Sequence, residues 1–157
     1  MTVVSINKQA RLSEHFTLAE MCKTSAKTAD GNIPSHIHIE NLKRLCGWLE
    51  MLRSEWNKRY GEGDDPIVIN SGYRSEAVNK AVGGVSGSNH LTGCAADICV
   101  AGIEQLVRYA TILLDISDES QEDFDELLLE RSPRGGYWLH FAVRPSGNRR
   151  KVRLIQT

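Results

Sequence analysis

No long apolar run occurs anywhere in the 157 residues. Nothing approaches the roughly 20 apolar residues needed to cross a bilayer, so no membrane span is expected. Met1 to Leu12 carries Asn7, Lys8, Gln9 and Arg11 in place of an apolar core. That argues against a secretory signal and for synthesis in the cytoplasm, with some other route to any substrate outside it. A basic excess is missing too. A formal net charge of -1 and a pI near 6.5 give a phosphate backbone little to bind, so no nucleic-acid partner is expected, despite the short Arg149-Arg150-Lys151 patch. The four cysteines, Cys22, Cys46, Cys94 and Cys99, form no CxxC pair and no zinc-finger spacing. Without a secretory signal, free thiols are expected. Internal repeats, low-complexity tracts and interdomain linkers are all absent, which predicts one domain over residues 1–157; the chain is expected to be a monomer.

What is present suits a globular chain that folds alone: 41% hydrophobic and 25% charged residues. The charge is uneven along it. Asp115 to Glu130 holds eight acids and no base, whereas Arg131 onward holds seven bases and no acid. The expectation is two solvated patches that face each other.

Thr17 and Glu20 match a capping box, predicting a short helix over roughly Thr17 to Lys23. Leu42, Leu45, Leu49, Leu52 and Trp56 recur at spacings of three and four, with Gly61 as a stop, and predict a long helix laying one stripe on the core. His36 and His38 near its start have no acidic partner at ligand spacing and are expected to face solvent. Ile103, Leu106, Val107, Ala110, Leu113 and Leu114 predict a second amphipathic helix. Strands are predicted at Ile67 to Ile69, Ala95 to Val100, Phe124 to Leu129 and Tyr137 to Val143. Lys151 to Ile155 is expected to return as a hairpin partner across the Pro145 to Asn148 turn. The class is α+β, with helices first and a mainly antiparallel sheet after.

Chemistry collects between Asn70 and Asp97 and around His140. Strand alternation puts Ala96, Ile98 and Val100 on a core face and drives Asp97 onto the opposite one. It likewise sets Trp138, His140 and Ala142 against Tyr137, Leu139, Phe141 and Val143. If the two strands share a sheet, Asp97 and His140 point from the same face, and His90 drops in from the preceding loop. Two imidazoles and one carboxylate suit a catalytic zinc with an open position. Spacing alone does not decide against a metal-free, hydrogen-bonded core Asp–His pair.

The stretches Ser71-Gly72-Tyr73-Arg74-Ser75, Ser88-Asn89-His90-Leu91-Thr92-Gly93-Cys94-Ala95-Ala96-Asp97 and Trp138-Leu139-His140 resemble the zinc D-alanyl-D-alanine carboxypeptidase family. Its pattern runs SGYR, then SxHxxGxAxD, then WxH. That family includes VanX-type dipeptidases and phage L-alanyl-D-glutamate endolysins. Leu12 to Glu20 and the Asn41-Leu42 helix resemble a phage-associated branch, so the likeness covers nearly the whole chain. It implies a hedgehog/D-Ala-D-Ala peptidase-like fold and a metallopeptidase holding one zinc ion. It also implies a peptidoglycan stem peptide as substrate and delivery by lysis or a phage particle. His90, Asp97 and His140 become the metal ligands. Arg74 becomes a catalytic group near the scissile carbonyl, and Ser88 and Tyr73 become substrate contacts.

The sequence departs from the family at Tyr137. Several relatives carry a Glu or Asp there, three residues before the last histidine, as general base. Glu130, in a segment resembling FDxLIxE, is the expected substitute, ahead of Asp125, because alternation puts Glu126, Leu128 and Glu130 on one face and Asp125 on the other. The rival expectation is a catalytically impaired, metal-binding relative serving as a structural or cell-wall-binding module of a phage or prophage.

Overall fold

A computed structural model describes residues 6–156; Met1 to Ser5, part of the stretch read for a targeting signal, and Thr157 lie outside the described residues. Helix α1 (Leu18–Met21) opens with the predicted capping box, the Glu20 amide donating to Thr17 Oγ1 at 3.2 Å. Helix α2 (His36–Arg59) starts six residues before its apolar stripe, because Ser35 accepts from the His38 amide and the His38 ring reciprocates toward the Ser35 amide. His36 is exposed as expected. His38 is not fully solvent-facing: it is half-buried, its ring stacked on Tyr73 with centroids 5.0 Å apart. Capping and stacking account for it without a metal.

Strand β1 (Ile69–Ser71) begins two residues later than predicted, and short helix α3 (Glu76–Ala81) follows. A 3-10 turn (Asn89–Thr92) leads into β2 (Ala95–Cys99). Helix α4 (Ile103–Ser120) outruns its predicted end because the buried period continues through Ile116 and Ser117. Strands β3 (Glu126–Arg131), β4 (Tyr137–Ala142) and β5 (Lys151–Gln156) complete a five-stranded sheet of order β1-β2-β4-β3-β5. The predicted α+β class holds, and three of the four pairings are antiparallel.

The last strand departs from expectation. β5 runs parallel to β3 and does not form a hairpin with β4. Both edges of β4 are already taken, by β2 and β3. The chain therefore crosses to the free edge of β3, where the Arg150 and Lys151 amides donate to the Phe124 and Asp125 carbonyls.

One face of the sheet is apolar. Ala96, Ile98, Leu127, Leu139 and Phe141 join Leu45, Leu49, Trp48, Ile112 and Leu113 of the two long helices in one buried cluster. This burial, at roughly 25 cal/mol per Å², is the main force holding the helices to the sheet. The opposite face of the same strands carries the polar residues. Among the described residues, no helix is long and apolar enough to cross a membrane. The cysteines are unpaired: Cys22, Cys46 and Cys94 are buried and Cys99 is exposed.

The acidic run and the basic tail do face each other. They are not simply solvated, however, for Asp125 is fully buried and takes Arg149 and Arg144 at 2.9 and 3.1 Å. A buried carboxylate costs too much unless such partners surround it.

Candidate metal centre

Asp97 and His140 are register partners on β2 and β4, so the pleat points both side chains from the same face. His90 arrives from the 3-10 turn, whose first residue is capped by Ser88: Ser88 Oγ accepts from the His90 amide at 3.1 Å. Gly93 closes that turn with φ +75°, and a Cβ there would stand 2.6 Å from the His38 carbonyl. Only glycine satisfies both the positive φ and the close approach to α2.

The three side chains converge. Asp97 Oδ1 lies 3.0 Å from His140 Nδ1 and 3.3 Å from His90 Nε2, and one ligand atom from each residue falls within 4.8 Å of the others. Ligand atoms of a tetrahedral zinc, each about 2.0–2.1 Å from the ion, stand about 3.3 Å apart, so the spacing fits.

The far side of each ring fixes which nitrogen faces the centre. His90 Nδ1 sits 2.7 Å from the Gly72 carbonyl, which can only accept. Nδ1 is therefore the protonated nitrogen, and the lone pair of Nε2 is turned toward the Asp97 oxygen. Two acceptors face each other there, an arrangement that a cation or a shared proton relieves. His140 Nε2 lies 3.1 Å from Glu126 Oε1, which leaves Nδ1 for the centre. A ring whose other nitrogen donates to a carbonyl or carboxylate is the usual setting of a metal-bound histidine.

The electrostatics agree. Burial opposes the charge on Asp97, but its neighbours, the hydrogen bond from His140 first among them, outweigh it and hold the carboxyl well below the usual range. Burial likewise opposes charge on His140, yet Asp97 and Glu126 overcome it and push the imidazole up to about 9. The hydrogen bond from His140 keeps Glu126 below its ordinary value. Glu130 moves the other way, raised chiefly by burial and in part by the charge on Asp97.

The structure brings some of the remaining expected residues to this centre. Arg74 Nη2 reaches Asp97 Oδ2 at 3.2 Å while its Nε donates to Ser71 Oγ at 3.0 Å, so it grips the oxygen of Asp97 that turns away from the histidines. Leu128 lies opposite His140, and Glu126 and Glu130 flank Leu128 on that face. Ser88 spends its hydroxyl on the turn it caps. Tyr73 is 5% exposed and belongs to the hydrophobic core, where a buried ring offers a substrate little surface. Asp125 is enclosed by Asn89, Arg144 and Arg149. Tyr137 packs against the core on the other side of its strand. Cys94 is buried and its thiol is pushed up by burial, which gives it no thiolate character beside His90.

Glu126, Asn89 and the Gly72 carbonyl are functional neighbours that the sequence reading did not single out. Alternation had put Glu126 on the right face, but its contact with His140 depends on side-chain reach. The Gly72 carbonyl could not have been found, because it depends on β1 lying against α1: a Cβ at Gly72 would run into the Met21 carbonyl.

A model of the peptidase M15 family matches residues 14–116, a span that includes His90 and Asp97 and ends before His140. The zinc D-Ala-D-Ala carboxypeptidase of Streptomyces albus G is 32% identical over 84 residues, covering 54% of this chain and 31% of the relative. The match thus spans under a third of that relative's length.

Proposed function

The chain belongs to the peptidase M15 family, and from that premise we propose that it is a single-domain, zinc-dependent peptidase that hydrolyses peptide bonds in peptidoglycan stem peptides. His90, Asp97 and His140 are its ligands to one zinc ion. The observation that carries the reading is the facing of His90 Nε2 and His140 Nδ1 onto one Asp97 oxygen, with the opposite ring nitrogens both occupied. The cell-wall substrate draws its support from the name of the Streptomyces relative. A zinc ion bound by such residues supplies Lewis acidity, acidifying water and polarising a carbonyl.

The chain's own residues do the rest. Glu130 is the general base: burial raises its carboxyl above the ordinary value, which gives it more driving force to accept a proton. It takes a proton from the attacking water as the new C–O bond forms. It then returns that proton to the amine nitrogen as the C–N bond breaks. Arg74 holds Asp97 through one Nη, and its remaining guanidinium hydrogens are available to charge developing on the carbonyl oxygen. Glu126 keeps the His140 ring in the orientation that frees Nδ1.

A second reading rests on Tyr137, which puts no acid three residues before His140. On that reading the chain is a metal-bearing structural or wall-binding module of a phage or prophage. One experiment separates the two. Protein loaded with zinc is incubated with purified cell wall and with short stem peptides, and released amines are counted. Turnover that chelation abolishes supports the peptidase. Stoichiometric zinc without turnover on either substrate would leave the binding module.

A further inference from the structure

We infer that Asn89 is a positioning residue that links the two histidines of the metal centre and, with the buried carboxylate of Asp125, sets the metal affinity of the site. This rests on the assignment of His90, Asp97 and His140 as ligands.

Asn89 precedes His90 and is itself buried. Its amide nitrogen donates to Asp125 Oδ2 at 2.8 Å and to Glu126 Oε1 at 2.6 Å, while its side-chain oxygen accepts from Arg144 Nε at 2.9 Å. This fixes the orientation of the amide, since a flipped group would set its oxygen against two carboxylates and its nitrogen against a guanidinium. Glu126 Oε1 receives hydrogens from two sources, Asn89 and His140 Nε2. A continuous path therefore runs from His90 along the backbone to Asn89, across to Glu126, and on to His140.

Asp125 anchors the path. It accepts from Arg149 through Nε at 3.0 Å, Nη2 at 2.9 Å and the backbone amide at 3.1 Å, and it pairs with Arg144 at 3.1 Å. Arg149 also approaches Glu126 Oε2 at 3.7 Å. Without Asn89, Glu126 keeps that attraction toward Arg149 and loses the donor that holds its other oxygen under His140. The acidic run and the basic tail thus meet where they fix an outer carboxylate of the metal site. A hydrogen bond that only stabilised the chain would not need to converge on the same Glu126 oxygen as the histidine.

Outer groups of this kind typically change metal affinity by about ten- to a hundredfold. The test is the zinc dissociation constant of the full chain, measured by competition with a chromophoric chelator, for wild type, Asn89→Ala, Glu126→Gln and the double variant. We expect Asn89→Ala to weaken zinc by about ten- to a hundredfold. The double variant should be scarcely weaker than Glu126→Gln alone, because both changes act through one contact to His140. Asn89→Asp, which keeps the volume but sets a third carboxylate beside Asp125 and Glu126, provides the same reading should the alanine variant not fold. Unchanged zinc affinity in a variant with a lowered Tm would overturn the inference and leave Asn89 a structural residue. Fully additive losses in the double variant would overturn it as well. A wild type that holds no zinc would instead bring down the ligand assignment itself, and the two failures are distinguished by that first measurement.

Discussion

The carboxylate of Asp97 and the imidazole of His140 face each other across two antiparallel strands, register partners with Oδ1 and Nδ1 3.0 Å apart. Two of the three converging groups are therefore set by strand register, and only His90 depends on a turn.

Wild-type protein stripped of metal and then given zinc should retain about one ion per chain after dialysis, the stoichiometry of a three-ligand catalytic site. Asp97→Ala should retain almost none. It leaves the apolar face of β2 untouched, since Ala96 and Ile98 point the other way and stay buried, so the circular dichroism spectrum should be preserved. Elemental analysis of both proteins checks this. Equal zinc in the two would show that Asp97 is no ligand.

The pH dependence follows from His140. In the metal-free protein its pKa lies at about 9 because Asp97 and Glu126 outweigh the burial that opposes its charge. A raised folded-state pKa contributes stability that is complete below the unfolded value of about 6.5. That contribution fades as pH rises through about 9. The Tm of the metal-free chain should therefore fall between those limits. Zinc must displace the same proton, so its apparent affinity should rise about tenfold per pH unit over this window and then level off. A zinc affinity independent of pH there would contradict the assignment of His140 Nδ1 as a ligand atom.

Much of this centre was legible in the sequence, for a physical reason. Strand alternation is a strict period of two, so the facing of Asp97 and His140 followed once both strands were recognised. The apolar stripe from Leu42 to Trp56 was equally plain. The partner of β5 was not legible, because it depends on which sheet edge remains free after the other strands have paired. The charge runs suggested surface patches, since nothing local to Asp125 tells that Arg144 and Arg149 will close over it. The role of Glu126 also lay beyond the pattern: it and Glu130 share a face, and only three-dimensional reach separates the one that touches His140.

Arg74 grips Asp97 Oδ2 and Ser71 Oγ with separate nitrogens, a fork that lysine cannot reproduce. Arg74→Ala should lower turnover on a stem-peptide substrate by on the order of a hundredfold or more, the usual loss for a donor to developing oxyanion charge. It should also loosen zinc, because Asp97 loses the partner of its outer oxygen. Arg74→Lys should recover zinc binding better than it recovers turnover. Kinetics and zinc titration on the same preparations decide this, and near-normal turnover in Arg74→Ala would confine the residue to structure.

Two carboxylates on one face of β3 have different roles. Glu126 and Glu130 stand on either side of Leu128, which is the register partner of His140. Their environments differ in sign. Glu126 accepts from His140 and Asn89, which holds it ionised, below its ordinary pKa. Glu130 is raised above its ordinary value by burial and has no such pair of donors, so of the two it is the stronger proton acceptor. Glu130→Gln preserves shape and removes basicity. It should keep zinc and lose turnover by roughly a hundredfold or more, the range typical of removing a general base. Glu126→Gln should show the reverse balance, because its amide nitrogen can turn toward His140 where a carboxylate had accepted. Zinc should then bind about ten- to a hundredfold more weakly, with turnover restored in part when zinc is raised to saturation. Measuring kcat at saturating zinc for both variants gives the decision. Full activity in Glu130→Gln, together with a loss in Glu126→Gln that saturating zinc does not repair, would move the base from Glu130 to Glu126.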